Sequence, residues 1–224
     1  MDLPLHIRNA IAVARQAMGK HPDHLLLREQ RCAIYAAFKR VTLLPGYRAR
    51  AHLDILTARF VLPFWRPLAQ DRWKGYGYMP ETMITLAEGL LNATVDEEEA
   101  LTIVGRGQEM SDLTGETTGS PYYCSWAVFE TALHTLFAAL DYNDMKEARI
   151  SPTFDSEQKY VADAAHWAAV AYAGGRWYPI IAEDNRYGEV AGIWDWDIAE
   201  VRTKRQQFWE WWLHEAIPAA WAAQ

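Results

Sequence analysis

A chain of 224 residues, half of them hydrophobic, is long enough for one domain with a sizeable core and too apolar to be disordered as a whole. Its net charge of −7 is unevenly spread: residues 1–80 hold 13 Lys and Arg against 5 Asp and Glu, whereas residues 81–200 hold 6 against 22. The acidic part argues against direct contact with nucleic acid, since phosphate binding needs clustered cations, and no apolar run reaches the roughly 20 residues that a membrane helix requires.

The opening, MDLPLHIRNAIAVARQ, lacks a basic leader and an unbroken apolar stretch, so it does not read as a signal peptide and the chain reads as cytoplasmic. Helical spacing then predicts a first helix over about 5–18, with Ile7, Ile11, Ala14 and Met18 on one face and Gly19 as the stop. Asp23 is placed to cap a second helix, with Leu26, Ile34, Ala37, Phe38 and Val41 inward, and Pro45-Gly46 reads as its break. A third helix is predicted over about 47–62, ended or bent by Pro63 and Pro67. After a loop rich in glycine and aromatics at 71–79, Pro80-Glu81 opens a fourth helix to about Leu91. Asp96 caps a fifth, whose first turn holds Glu97, Glu98 and Glu99. The Gly/Thr/Ser stretch 115–120 precedes a sixth helix carrying Trp126, Phe129, Leu133, Leu136, Phe137 and Leu140. Residues 143–154 read as a linker, about 156–173 as an Ala-rich seventh helix stopped by Gly174-Gly175, and about 194–220 as a last helix dense in tryptophan. The expected fold is all-α: a single domain over 1–224 of about eight helices, arranged as an antiparallel bundle or as stacked helix pairs.

Catalytic signatures are scarce. The sequence holds no phosphate-binding loop, dinucleotide fingerprint or nucleophile elbow. His214-Glu215 is not a zinc-protease motif, because Pro218 stands where the second histidine belongs, and the seven histidines show no metal-ligand pairing. No cofactor is expected. Cys32 and Cys124 read as buried, reduced thiols. Asp195 and Asp197 have the spacing for an acid–base or cation-binding pair, and equally for a helix cap. Trp209, Trp211, Trp212 and Trp221 form a broad apolar stripe that reads as core. Two loops mix aromatic and charged residues in the manner of binding surfaces: Trp73, Tyr76 and Tyr78 in one, and Glu183, Asp184, Arg186, Tyr187, Trp194, Asp195 and Asp197 in the other. The alternative for both loops is packing onto the body.

Three blocks carry a family likeness: Arg48 to Leu53 leading into Leu56 to Trp65, then Trp167 to Gly175, then Lys204 to Pro218 with its Phe208-Trp209-Glu210-Trp211-Trp212-Leu213 run. Together they resemble the fifth family of predicted immunity proteins of bacterial polymorphic toxin systems. The acidic, glycine-bearing stretch 105–120 shows the least likeness. The resemblance implies an all-α fold, a gene beside that of a toxin, and a protein that binds and neutralises that toxin stoichiometrically. A basic toxin would suit the acidic half of the chain. The competing expectation is a helical hydrolase that reverses a toxin's modification with Asp195, Asp197 and Glu183 or His166.

Overall fold

Apolar residues recurring every three or four positions give helices, and the computed structural model describes residues 3–39, 43–65, 77–114, 123–147, 163–175 and 197–224. All of the elements among them are helical: α1 (Leu5–Lys20), α2 (Arg28–Lys39), α3 (Leu43–Val61) with a 3₁₀ turn at Leu62–Phe64, α4 (Met79–Leu91), α5 (Glu97–Thr114), α6 (Tyr123–Lys146), α7 (Ala164–Tyr172), α8 (Ile198–Trp211), a π-turn at Trp212–Ala216, and α9 (Ile217–Ala222). No described helix is long and apolar enough to cross a membrane.

The centre is an α3–α6 pair. Arg50 faces Asp141, the Thr135 hydroxyl donates to the Asp54 carbonyl at 3.1 Å, and the Trp65 and Phe129 rings lie 6.4 Å apart. Rising numbers on one helix meet falling numbers on the other, so the two run antiparallel. Each is apolar on more than one side because each is packed on more than one side. One apolar cluster joins α1, α2, α7 and α8–α9 to Ala49, Leu53 and Val61 of α3 and to Tyr123, Ala127 and Val128 of α6. The other joins α4 and α5 to Tyr47, Ala51, Ile55 and Ala58 of α3 and to Phe129, Ala132, Leu133 and Leu136 of α6.

Several boundaries differ from expectation. Pro45-Gly46 does not break a helix but lies in the first turn of α3, where proline costs no intrahelical hydrogen bond. Gly46 is needed there because a Cβ would stand 2.6 Å from the Phe38 carbonyl oxygen and 2.8 Å from the Lys39 Cα. Asp23 does not cap α2, which starts at Arg28; its carboxylate instead accepts from Arg202 Nε of α8 at 2.7 Å. The expected linker yields to α6 as far as Lys146. Helix α7 starts at Ala164, with Asp163 as its N-cap accepting from the His166 N–H at 2.8 Å, and residues 148–162 lie outside the described set. Cys32 and Cys124 form no disulfide and are half-buried rather than buried.

The last rod bears a π-turn for a local reason. Pro218 has no N–H for the carbonyl four residues back, and its ring would press on that carbonyl; a wider turn relieves the clash. The Ile217 N–H accordingly reaches back five residues to the Trp212 carbonyl.

Candidate functional site

Of the ten residues expected at a binding surface, Trp73, Tyr76, Glu183, Asp184, Arg186, Tyr187, Trp194 and Asp195 lie outside the described residues. Tyr78 is 53 % exposed at the start of α4, and its carbonyl accepts from the Thr82 N–H and hydroxyl, both at 3.0 Å. Asp197 caps α8: its Oδ1 accepts the N–H groups of Ala199 at 3.0 Å and Glu200 at 3.2 Å. Of the two readings of its spacing, the cap is the one the backbone uses.

The ends that lead into the first of these loops, and out toward the second, are neighbours. Trp65 closes α3 and donates its indole N–H to the Gly77 carbonyl at 2.8 Å, just before α4. Phe64 meets Tyr172, at the end of α7, edge-on at 5.7 Å. Gly175, at φ +70°, presses so closely on the first turn of α6 that a Cβ would stand 2.6 Å from the Cys124 Cα. Trp126 and Trp167 meet at 4.6 Å beside it. The chain thus leaves α3, enters α4, enters α6 and leaves α7 at one aromatic end of the bundle.

The tryptophans of the last rod sit elsewhere. Phe208, Trp209, Trp212, Leu213, Ile217 and Trp221 are buried. Trp212 donates to the Thr57 hydroxyl at 3.1 Å and meets Tyr35 edge-on, while half-buried Trp211 stacks on Phe60 at 3.7 Å. The stripe is core, as its spacing predicted.

Sequence reasoning missed a buried charged network between α2, α3, α6 and α7. Arg31 donates from Nε to Asp163 at 2.8 Å and from Nη1 to the Leu26 carbonyl at 2.6 Å, and lies over the Trp209 ring. Arg50 lies over the Tyr35 ring, near Asp54 and Asp141. Glu130 takes a hydrogen bond from the Ser111 hydroxyl, with His134 one turn on. Burial would raise the Asp163 carboxyl, but the charge and hydrogen bond of Arg31 hold it below its usual value. Burial pushes His166 down to about 3, helped by the Arg31 charge, and pushes His134 down to about 4. Burial first, then the Asp163 and Asp54 charges, raise the Tyr35 hydroxyl. Both histidines are therefore neutral at pH 7. The sequence signals for this network were the spacings of four between Arg50 and Asp54 and between Glu130 and His134; Arg31 and Asp163 come from far apart in the chain.

A further group of carboxylates lies on the outside. Asp96, Glu98, Glu99 and Glu147 are exposed where α5 begins and α6 ends, and Asn143 joins the two ends by donating to Glu97 at 2.6 Å. Asp96 caps α5 through the Glu98 N–H at 3.2 Å.

These features define an all-α protein whose most distinctive sequence blocks build its interior. A family model described as Immunity protein Imm5 matches residues 11–219, and the chain belongs to that family: it is an immunity protein. No curated protein matches it.

Proposed function

We propose that the chain neutralises one cognate toxin by stoichiometric occlusion, with the aromatic end of the bundle and the segments 72–78 and 183–197 as the contact. Family membership over residues 11–219 carries this reading. It is supported by the gathering of Trp65, Gly77, Tyr123 and Gly175 at the end beside exposed Tyr78. Trp73, Tyr76, Tyr78, Tyr187 and Trp194 supply apolar contact, and Glu183, Asp184, Arg186, Asp195 and Asp197 supply charge. The acidic side chains among these favour a basic toxin. The protein acts in the cytoplasm.

The test is a titration of toxic activity against increasing amounts of this protein. Stoichiometric occlusion gives a sharp endpoint near one to one; rescue at a small fraction of the toxin concentration means catalysis and overturns it. Charge reversal at Asp184 or Asp195 slows association, and Trp194→Ala speeds dissociation. If all three variants bind as the wild type does, the placement of the contact is wrong.

A further inference from the structure

Helix α1 and the π-turn enclose a groove of about 510 Å³. Its floor is apolar, from Leu3, Ile11, Ala12, Leu213 and Pro218, and its rim carries Arg8, Arg15, Gln16 and His214. Glu210 is the carboxylate on that rim, 3.5 Å from Arg15 and 3.2 Å from His214. Leu5 shares the face of Arg8, Ala12 and Gln16 and extends the apolar strip.

The opposite chemistry lies on another surface of the same chain. Glu98, Leu101, Thr102, Gly105 and Glu109 recur at helical spacing along the exposed side of α5. Leu101 is 51 % exposed; with Leu5 at 64 % and Val13 at 63 %, it is one of the three most exposed large aliphatic side chains among the described residues. Nothing stands within 4 Å of where a Gly105 Cβ would be, so a partner's side chains can come close to the α5 backbone there. On α5, Glu98 stands one turn before Leu101 and Glu109 two turns after it, with exposed Arg106 beside Glu109; on α1, Arg8 and Arg15 border the aliphatic groove, with Glu210 beside Arg15.

We propose that the α1 groove receives helix α5 of a second copy of this chain. Leu101 enters the groove, and Glu98 and Glu109 face Arg8 and Arg15. The two patches differ, so the contact is head-to-tail and each copy keeps one patch open; association continues beyond a dimer. The groove is small beside a stable interface, so the contact is weak and driven by concentration. It is independent of toxin neutralisation, which needs only one copy.

Sedimentation equilibrium of the full chain tests this. At about 50 mM salt the average mass rises with concentration beyond twice the 25.6 kDa of one chain, and about 500 mM salt returns it toward one chain. A groove variant (Arg8→Glu with Arg15→Glu) and a helix variant (Glu98→Arg with Glu109→Arg) each weaken association at least tenfold. All four positions are exposed, and thermal melts confirm that both variants fold. Mixing the two variants restores a complex, because the acidic α5 of the first fits the basic groove of the second. A mass that stays at one chain throughout, or association that neither variant weakens, overturns the proposal. So does a groove variant that impairs only toxin capture, which would make the toxin the occupant.

Discussion

The two apolar clusters flanking the α3–α6 pair are built from different materials. The cluster around α1, α2, α7 and α8–α9 is aromatic and encloses charge: Trp209, Trp212 and Phe208 lie beside buried Arg31 and Arg205. The cluster around α4 and α5 is mostly aliphatic, from Met83, Ile84, Leu86, Leu90, Leu133 and Leu136, with Tyr47, Phe129 and Tyr142 as its buried rings and Gly107 where α5 approaches α4 and α6 closely. Aliphatic packing tolerates exchange of one side chain for another of similar volume. An aromatic edge, a cation over a ring and a buried ion pair each demand a particular residue in a particular place. Of the blocks that carry the family likeness, Trp167–Gly175 and Lys204–Pro218 fall in the first cluster, and Arg48–Trp65 lies between the two.

The largest expected effect breaks the first cluster at its middle. Trp212→Ala removes a fully buried ring, its hydrogen bond to Thr57 and its edge contact with Tyr35. Denaturant unfolding should show a loss of about 3–5 kcal/mol. Arg31→Leu should cost about 3 kcal/mol, because it strands Asp163 beside the neutral His166. Adding Asp163→Asn should recover part of that loss, which a simple cavity would not allow.

Acid sharpens the same contrast. His166 and His134 are depressed in the folded state to about 3 and about 4, so the unfolded chain takes up protons first as pH falls below its own value of about 6.5. Their contribution is complete above that value and is lost as pH falls toward 4, roughly 2 kcal/mol per histidine by pH 5. Replacing both with glutamine should flatten the stability profile between pH 6.5 and 4. A profile equally steep in the variant would remove these histidines from the account.

Two glycines give smaller and unequal effects. Gly46→Ala sets a methyl against the backbone of Phe38 and Lys39, which cannot step aside, and should cost about 1–3 kcal/mol. Gly107→Ala meets the flexible end of Met83 at 2.7 Å and a Leu133 methyl at 2.9 Å, and should cost under about 1 kcal/mol. Equal melting temperatures for the two variants would contradict the distinction. At the surface, Arg59→Ala breaks the paired contacts with Glu88 at 3.0 and 2.8 Å, both side chains being more than a third exposed, and should change stability by at most about 1 kcal/mol.

Much of this architecture was legible in the sequence. Ile7, Ile11, Ala14 and Met18 face inward as their spacing predicted, the glutamates open α5, and the tryptophan stripe is core. Periodicity reports which face of a helix is buried, and these are statements about faces. What periodicity does not report is a partner. Proline and glycine mark the start of a helix and its interruption with the same letters, so Pro45-Gly46 reads as a break although it lies in the first turn of α3. Asp23 had the local signature of a cap, but Arg202, 179 positions away, claims it. Arg31 and Asp163 are separated by 132 positions, and nothing near either one marks it as buried. The expected contact loops fared differently: Tyr78 is exposed as a contact residue must be, Asp197 serves as a cap, and the other eight positions fall outside the described residues.

The rod that fills the middle of the aromatic cluster is made late. Helices α1, α2 and α3 turn their apolar faces toward Phe208, Trp212, Ile217 and Trp221, so their packing stays incomplete on the ribosome until residues 198–222 have emerged. A chain interrupted before that point presents exposed apolar helices to chaperones and proteases. The aromatic cluster closes only once residues 198–222 have been made, so any delay in making them prolongs that exposure.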